Sequence, residues 1–135
     1  MHAISRYTIT KVQLPLEKDI GSRISWLCSS LGFLEKRDKD RTAMKILEAL
    51  IKALPSGKGL TSDELTEVVK PTRGSVIYHL KKLMKAGIIV KIESRYELRQ
   101  KSMVKTLEDL QVEINSAIEG MKEACAEIDE ELGLR

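Results

Sequence analysis

Apolar residues recur at helical spacing along much of the chain, and the clearest example lies in residues 71–87. Val76, Leu80 and Leu83 follow one another at intervals of four and three residues, which places them on one face of an α-helix. Gly87 closes the run and can take the left-handed conformation that ends many helices. The pattern therefore predicts an amphipathic helix over residues 71–87 whose apolar face packs against a core.

A shorter helix is predicted just before it. Thr61 and Glu64 have the spacing of a capping box, in which each side chain bonds to the backbone N–H of the other residue. This helix should end near Val69, because the residue before Pro71 is pushed out of the α-helical region. Thr72 can then serve as the N-cap of the next helix. The chain is thus predicted to form a helix, a tight turn and a second helix.

Two short segments after Gly87 have the composition of β-strands. Residues 88–92 are mostly β-branched, and residues 96–99 begin with the aromatic Tyr96. Glu93, Ser94 and Arg95 lie between the two segments. We expect a β-hairpin, of the kind called a wing, directly after the second helix.

The face of helix 71–87 opposite its apolar stripe is polar and basic. Residues 70–105 contain ten Lys or Arg against two acidic residues, whereas residues 106–135 contain two against nine. A basic helix and wing supply the positive charge that neutralises phosphates and the donors that reach base edges. The predicted DNA-binding residues are Thr72, Arg73, Ser75, Tyr78, His79, Lys81, Lys82, Lys85, Lys91, Arg95 and Arg99.

The most specific residues of this region are Ser75-Val76, His79-Leu80, Leu83, Ala86-Gly87-Ile88 and Tyr96-Glu97-Leu98-Arg99. With them, the run from residue 41 to residue 99 resembles the winged helix-turn-helix domains of ArsR-like transcription regulators, most closely archaeal ones. The resemblance covers a little under half of the chain and implies a homodimer that binds double-stranded DNA and represses or activates promoters. The chain departs from the family at Tyr78, where Arg is frequent, and at Lys70-Pro71, where the turn often has Gly.

Residues 102–134 contain no proline and repeat apolar side chains at a spacing of three and four for more than four heptads. That spacing is typical of a coiled-coil seam, along which helices of two chains pair. Its one amide, Gln111, can fix the register of the pair. The predicted dimerisation residues are Val104, Leu107, Gln111, Ile114, Ile118, Met121, Cys125, Ile128 and Leu132.

An alternative for this helix is that it folds back and buries its stripe against its own domain. The acidic residues that flank the seam are predicted to form a solvated face, which also keeps the helix off DNA. These residues include Glu108, Asp109, Glu119, Glu123 and Glu127.

The N-terminal third carries weaker patterns. Residues 7–14 are strand-like, and apolar residues at helical spacing predict a helix over residues 17–31. Trp26, beside that stripe, is expected to be a core or dimer contact, with an effector pocket as the alternative. Asp38 and Asp40 are predicted to cap a helix over residues 41–54 rather than to form a metal loop, since no further ligands follow.

Motifs for catalysis or metal binding are missing from the sequence. Cys28 and Cys125 lie far apart, which gives no support to a disulfide framework or a zinc site. Residues 62–69 lack the cysteine pair that metal-sensing ArsR proteins carry in the corresponding helix. His79 is expected to be structural or to contact phosphate rather than to act as an acid or base. We therefore predict no catalytic residue, metal or cofactor.

No hydrophobic run approaches the roughly 20 residues of a membrane span, and the N-terminus lacks a secretory signal pattern, so the protein is predicted to be cytoplasmic. The predicted fold is mainly α with a small β-hairpin. It divides into an N-terminal extension with one helix (1–40), a winged helix-turn-helix DNA-binding domain (41–99) and a C-terminal coiled-coil dimerisation helix (100–135).

The predicted function is that of a sequence-specific DNA-binding transcription regulator that acts as a homodimer and has no enzymatic activity. The alternative is a winged-helix interaction module that scaffolds a transcription or chromosome assembly. RNA binding comes third, because Tyr78 alone offers a small stacking platform.

Overall fold

The structure is a computed structural model and describes residues 6–33, 38–69 and 72–134. Within them, a mainly helical chain carries a small antiparallel sheet and ends in a long helix, which is a winged helix-turn-helix architecture. The predicted fold class is confirmed. The elements are α1 (Ile20–Ser30), α2 (Thr42–Ala53), a 3₁₀ turn (Leu54–Ser56), β1 (Leu60–Thr61), α3 (Ser62–Val69), α4 (Arg73–Lys85), β2 (Ile89–Ile92), β3 (Arg95–Leu98) and α5 (Met103–Leu132).

The core forms where α2, α3 and α4 pack against one another and against the sheet. The apolar stripe predicted for the second helix faces this core, since Val76, Leu80 and Leu83 are fully buried. Ile24 and Cys28 of α1 extend the same cluster. Burial of such side chains supplies most of the favourable free energy of folding.

Local sequence signals set the ends of these helices. The Thr61 amide donates to Glu64 Oε1 at 2.9 Å and the Glu64 amide donates to Thr61 Oγ1 at 3.1 Å, which confirms the capping box. Thr72 caps α4 by accepting from the Ser75 amide at 3.2 Å. Gly87 has a φ of 78°, and the following amide closes the helix end by donating to the Leu83 carbonyl. The predicted turn residues Lys70 and Pro71 lie outside the described residues.

The wing forms as predicted, with one additional strand. β2 pairs with β3 and β3 pairs with β1, all antiparallel, in the order β1-β3-β2. A two-residue strand such as β1 is too short to show an alternating pattern, so the sequence did not reveal it. Gly59 precedes this strand because a Cβ there would collide with the carbonyl oxygen of Tyr96.

The N-terminal segment is irregular, and residues 7–14 form no strand despite their strand-like pattern. The segment pairs with helix ends rather than with a strand edge: the Thr10 amide donates to the Ser30 carbonyl at 2.8 Å, and the Arg6 amide to the Lys85 carbonyl at 3.1 Å. The following helix, α1, begins later than predicted, because Asp19 caps it. Half-buried Trp26 donates from Nε1 to the Val12 carbonyl at 3.3 Å, which ties α1 to this segment.

The C-terminal helix α5 begins after its cap, Ser102, and ends at Gly133, which has a φ of 67°. Its first three turns are anchored to the domain by Thr106 and Leu110, which are buried. The start of α5 thus packs against its own domain, as in the fold-back alternative, although Thr106 and Leu110 lie beside the predicted seam and not on it. Beyond Ile114 the helix projects away from the domain and its residues are mostly exposed. Among the described residues, no helix is long and apolar enough to cross a membrane.

Candidate nucleic-acid interface

Helix α4, the second helix of the helix-turn-helix and in such folds the recognition helix, has two contrasting faces. Its apolar residues enter the core, whereas Arg73, Lys81 and Lys85 are exposed and Tyr78 is 42% exposed. Lys82 lies beside Tyr78, with its Nζ 5.8 Å from the ring centroid, and partial burial lowers the pKa of this lysine. The helix therefore presents cations and one aromatic ring to solvent on a scaffold that the core holds in place.

His79 was grouped with the DNA-binding residues but does not lie on that outer face, and of the two roles expected for it only the structural one fits its position. The residue is only 4% exposed. Its Nε2 lies 3.7 Å from Oδ2 of Asp38, and its ring meets the Tyr78 ring edge-on at a centroid distance of 5.0 Å. α2 begins beside the middle of α4, so this side chain is covered by an element far away in sequence. His79 joins the two helices and is not available as a surface phosphate contact.

Asp38 also caps α2, as predicted. Its Oδ1 accepts from the Thr42 amide at 2.9 Å and its Oδ2 from the Ala43 amide at 3.2 Å. Burial disfavours the charged carboxylate, but these backbone hydrogen bonds and the nearby His79 outweigh it, and the pKa of Asp38 lies below its usual range. The predicted second cap, Asp40, is exposed and these cap bonds go to Asp38 instead.

A surface recess of about 470 Å³ lies beside the recognition helix. Ser75 and Tyr78 line it from α4, and the loop before α2 contributes Lys39. Lys39 is exposed and adds a cation beside these two predicted DNA-binding residues, while Asp38 and Asp40 of the same loop also line the recess. The sequence around Lys39 gives no signal for this position, because nothing in its local pattern links it to a helix more than thirty positions away.

Two of the predicted DNA-binding arginines are paired with acids of α3. Arg73 Nη1 lies 2.7 Å from Asp63 Oδ1, and Arg95 Nη1 lies 3.1 Å from Glu64 Oε1. Arg95 also donates to the Gly59 carbonyl at 2.8 Å, which ties the wing to the start of α3. On the wing itself, exposed Lys91 sits with its Nζ 5.5 Å from the Tyr96 ring centroid.

Arg99, one of the predicted DNA-binding residues, is paired with two acids of α5. Its guanidinium binds the carboxylate of Glu113 and lies 3.4 Å from Asp109 Oδ2, both on α5. The Glu113 hydrogen bond raises the pKa of Arg99, and Arg99 together with the Tyr7 hydroxyl lowers the pKa of Glu113. Asp109 is accordingly not part of a purely solvated face. Arg99 anchors the long helix to the end of the wing.

The residues predicted to pair two chains fall into two groups. Leu107 and Ile114 are half-buried against the domain core. The remaining seam residues are exposed in this single chain: Val104, Gln111, Ile118, Met121, Cys125, Ile128 and Leu132. An apolar recess of about 400 Å³ separates the start of the seam from Leu27 of α1.

The two cysteines are in opposite environments. Cys28 is fully buried, and burial raises its pKa to about 12, whereas Cys125 is exposed on α5. In the part of the chain that the structure describes, no group of three or more His, Cys, Asp or Glu side chains could hold a metal ion.

Comparison with known proteins gives a family match for the segment that contains this interface. Residues 40–91 match the model described as bacterial regulatory protein, arsR family, and they span α2, α3, α4 and nearly all of β2. No curated protein and no solved structure gives a significant match. That family consists of DNA-binding transcription regulators and not of enzymes. Residues 40–91 of this chain are therefore an ArsR-family helix-turn-helix domain.

Proposed function

We propose that the protein is a transcription regulator that recognises specific duplex DNA as a homodimer. The observation that carries this proposal is the outer face of α4, where Arg73, Tyr78, Lys81 and Lys85 stand exposed on a helix whose opposite face is buried. A capped, rigidly packed basic helix next to a wing suits insertion into the major groove.

The residues of this interface divide by position. The N-terminal part of a recognition helix usually meets base edges, so Arg73, Ser75 and Tyr78 are assigned to sequence reading. Residues nearer the helix end and on the wing lie over phosphates, which suits Lys85 and Lys91. Thr72, Lys81, Lys82 and Arg95 complete the set, with Lys39 as an addition from the loop before α2. His79 and Arg99 are left out of it, because His79 is buried against Asp38 and the guanidinium of half-buried Arg99 is bound to Glu113 of α5.

Pairing of two chains is proposed to occur along the exposed part of α5. Ile118, Met121 and Ile128 leave apolar surface in water on a helix that projects from its domain. A single projecting helix of this kind gains stability when a partner covers its stripe. A second copy brings a second recognition helix, and two recognition helices read two half-sites at once.

The alternative, a winged-helix interaction module, needs no concentration of positive charge on α4. Residues 70–105 contain ten basic residues and two acidic ones, which favours DNA as the ligand of this region. The acidic α5 is a poor surface for DNA, so DNA binding is assigned to α4 and the wing.

Binding to a random duplex library, measured at several salt concentrations, tests the proposal. A dimer with roughly six phosphate contacts should show a log–log salt slope of about −5. Tyr78→Ala should alter the selected sequence at one base pair, whereas Lys85→Ala should weaken all duplexes alike. Lys52→Ala, an exposed lysine of α2, is the matched control and should change neither. Absence of binding at low salt, or binding that is indifferent to salt, would refute the proposal.

A further inference from the structure

The first turn of α3 places two consecutive acids against the DNA-binding surface. Asp63 pairs with Arg73 at the start of the recognition helix, and Glu64 pairs with Arg95 on the wing. Carboxylates this close to a phosphate-binding surface should lower the affinity for DNA, because they repel its negatively charged backbone. Their presence at this position therefore needs a reason.

The two pairs differ in how firmly they are held. Glu64 also accepts from the Thr61 amide, which is the main reason its pKa is lowered, and Arg95 also binds the Gly59 carbonyl. That pair is part of the fold. The Asp63 and Arg73 side chains are 75% and 64% exposed, and an ion pair in water is weak enough for other groups to compete with it.

Arg73 has more donors than one carboxylate can use. A guanidinium carries five N–H groups in a planar fork, so an arginine that gives one edge to Asp63 keeps another edge for a base. The bidentate partner of arginine in the major groove is guanine, through O6 and N7, which carries no net charge. A phosphate, by contrast, would bring a second negative charge next to Asp63.

We propose that Asp63 is a specificity-determining residue: it orients Arg73 toward a guanine edge and disfavours the binding of the same arginine to a phosphate. This inference rests on the proposed DNA-binding function. Asp63 acts through Arg73 and is a positioning residue. Its cost is weaker binding to all duplexes, and its benefit is a larger difference between the operator and other DNA.

The test compares the wild type with Asp63→Asn, which keeps the shape of the side chain and removes its charge. Affinity is measured for the best selected duplex and for an unrelated duplex of equal length. Asp63→Asn should bind the unrelated duplex about three- to tenfold more tightly at low salt. The slope of log affinity against log salt concentration should become steeper by about 0.9 for each Arg73 that is free to bind a phosphate. The ratio of specific to non-specific affinity should fall by a similar factor, and the selected site should lose its preference for one guanine.

Two further variants distinguish the positioning of Arg73 from a general repulsion of DNA by any acidic residue of α3. Glu67→Gln removes an exposed acid one turn further along α3, and it should leave the affinity ratio unchanged. In an Arg73→Ala background, Asp63→Asn should no longer alter the ratio. Equal effects of Asp63→Asn and Glu67→Gln, or an unchanged ratio for Asp63→Asn, would overturn the assignment while leaving DNA binding intact. A wild type that binds no duplex would instead refute the proposed function itself.

Discussion

The carboxylate of Asp38 lies 3.7 Å from Nε2 of His79, and the two side chains are almost fully buried. The same carboxylate accepts both cap hydrogen bonds of α2. One side chain thus starts the first helix of the DNA-binding domain and contacts the recognition helix at its middle. The orientation of α4 is coupled in this way to a residue in the loop before α2.

Asp38→Ala should destabilise the protein by about 2 kcal/mol, since removal of a helix cap costs about 1 and a buried polar group left without its partner costs about as much. The free energy of unfolding in urea measures the effect. Asp40→Ala, two positions along and exposed, is the matched control and should stay within about 0.5 kcal/mol of the wild type. Equal destabilisation in both variants would contradict the role of Asp38.

Acid should remove the contribution of Asp38. The pKa of this carboxyl is lowered in the folded protein, so the folded state favours its charged form. Its stabilisation is therefore fully present above the ordinary aspartate pKa of about 4 and is lost as the pH falls through the lowered folded value. The difference in unfolding free energy between the wild type and Asp38→Ala should therefore narrow as the pH falls from roughly 5 to below roughly 3. A difference that grows over that acid range would contradict this sign.

Arg99→Ala should weaken the attachment of α5 without removing a DNA contact. Removal of its partly exposed bonds to Glu113 and Asp109 should lower stability by about 1 kcal/mol. The salt slope for DNA should stay that of the wild type, whereas Lys85→Ala should make it shallower by about 0.9 for each phosphate that is no longer neutralised. A shallower slope for Arg99→Ala as well would return this arginine to the DNA interface.

Ile118→Asp combined with Met121→Asp should convert a dimer to a monomer. These side chains are 43% and 59% exposed in the single chain, so the protomer should still fold. Val112→Asp changes a residue of the same helix that is 69% exposed and off the predicted seam, and it should remain dimeric. Sedimentation at micromolar concentration decides the question, and a monomeric wild type would refute pairing along α5.

Cys125 can report how the two helices are oriented. A parallel pair brings equal seam positions together, which allows Gln111 to bond to its counterpart and sets the two Cys125 thiols side by side. Mild oxidation should then yield a disulfide-linked dimer that Cys125→Ser abolishes. Cys28→Ser should leave it unchanged, because Cys28 is buried and its raised pKa disfavours the reactive thiolate. Failure to cross-link in a dimeric protein would indicate antiparallel helices.

The sequence by itself determined the elements whose causes are local. The capping box at Thr61 and Glu64, the cap at Thr72 and the left-handed Gly87 act over five residues or fewer, so their spacing alone locates the ends of α3 and α4. The apolar stripe of α4 was equally readable, because the helix period is fixed. The contrast between basic residues 70–105 and acidic residues 106–135 could be counted directly from the sequence.

Tertiary structure decided the roles of the polar residues. His79 and Arg99 are residue types that often contact DNA. In the fold, His79 is covered by the loop before α2 and Arg99 is bound to α5. Tyr7 meets Glu113 across 106 positions of sequence. Helix periodicity states which residues share a face but not what covers that face, and this is why Leu110 rather than a seam residue became the buried anchor of α5. Which charges remain available to DNA depends on how the elements pack.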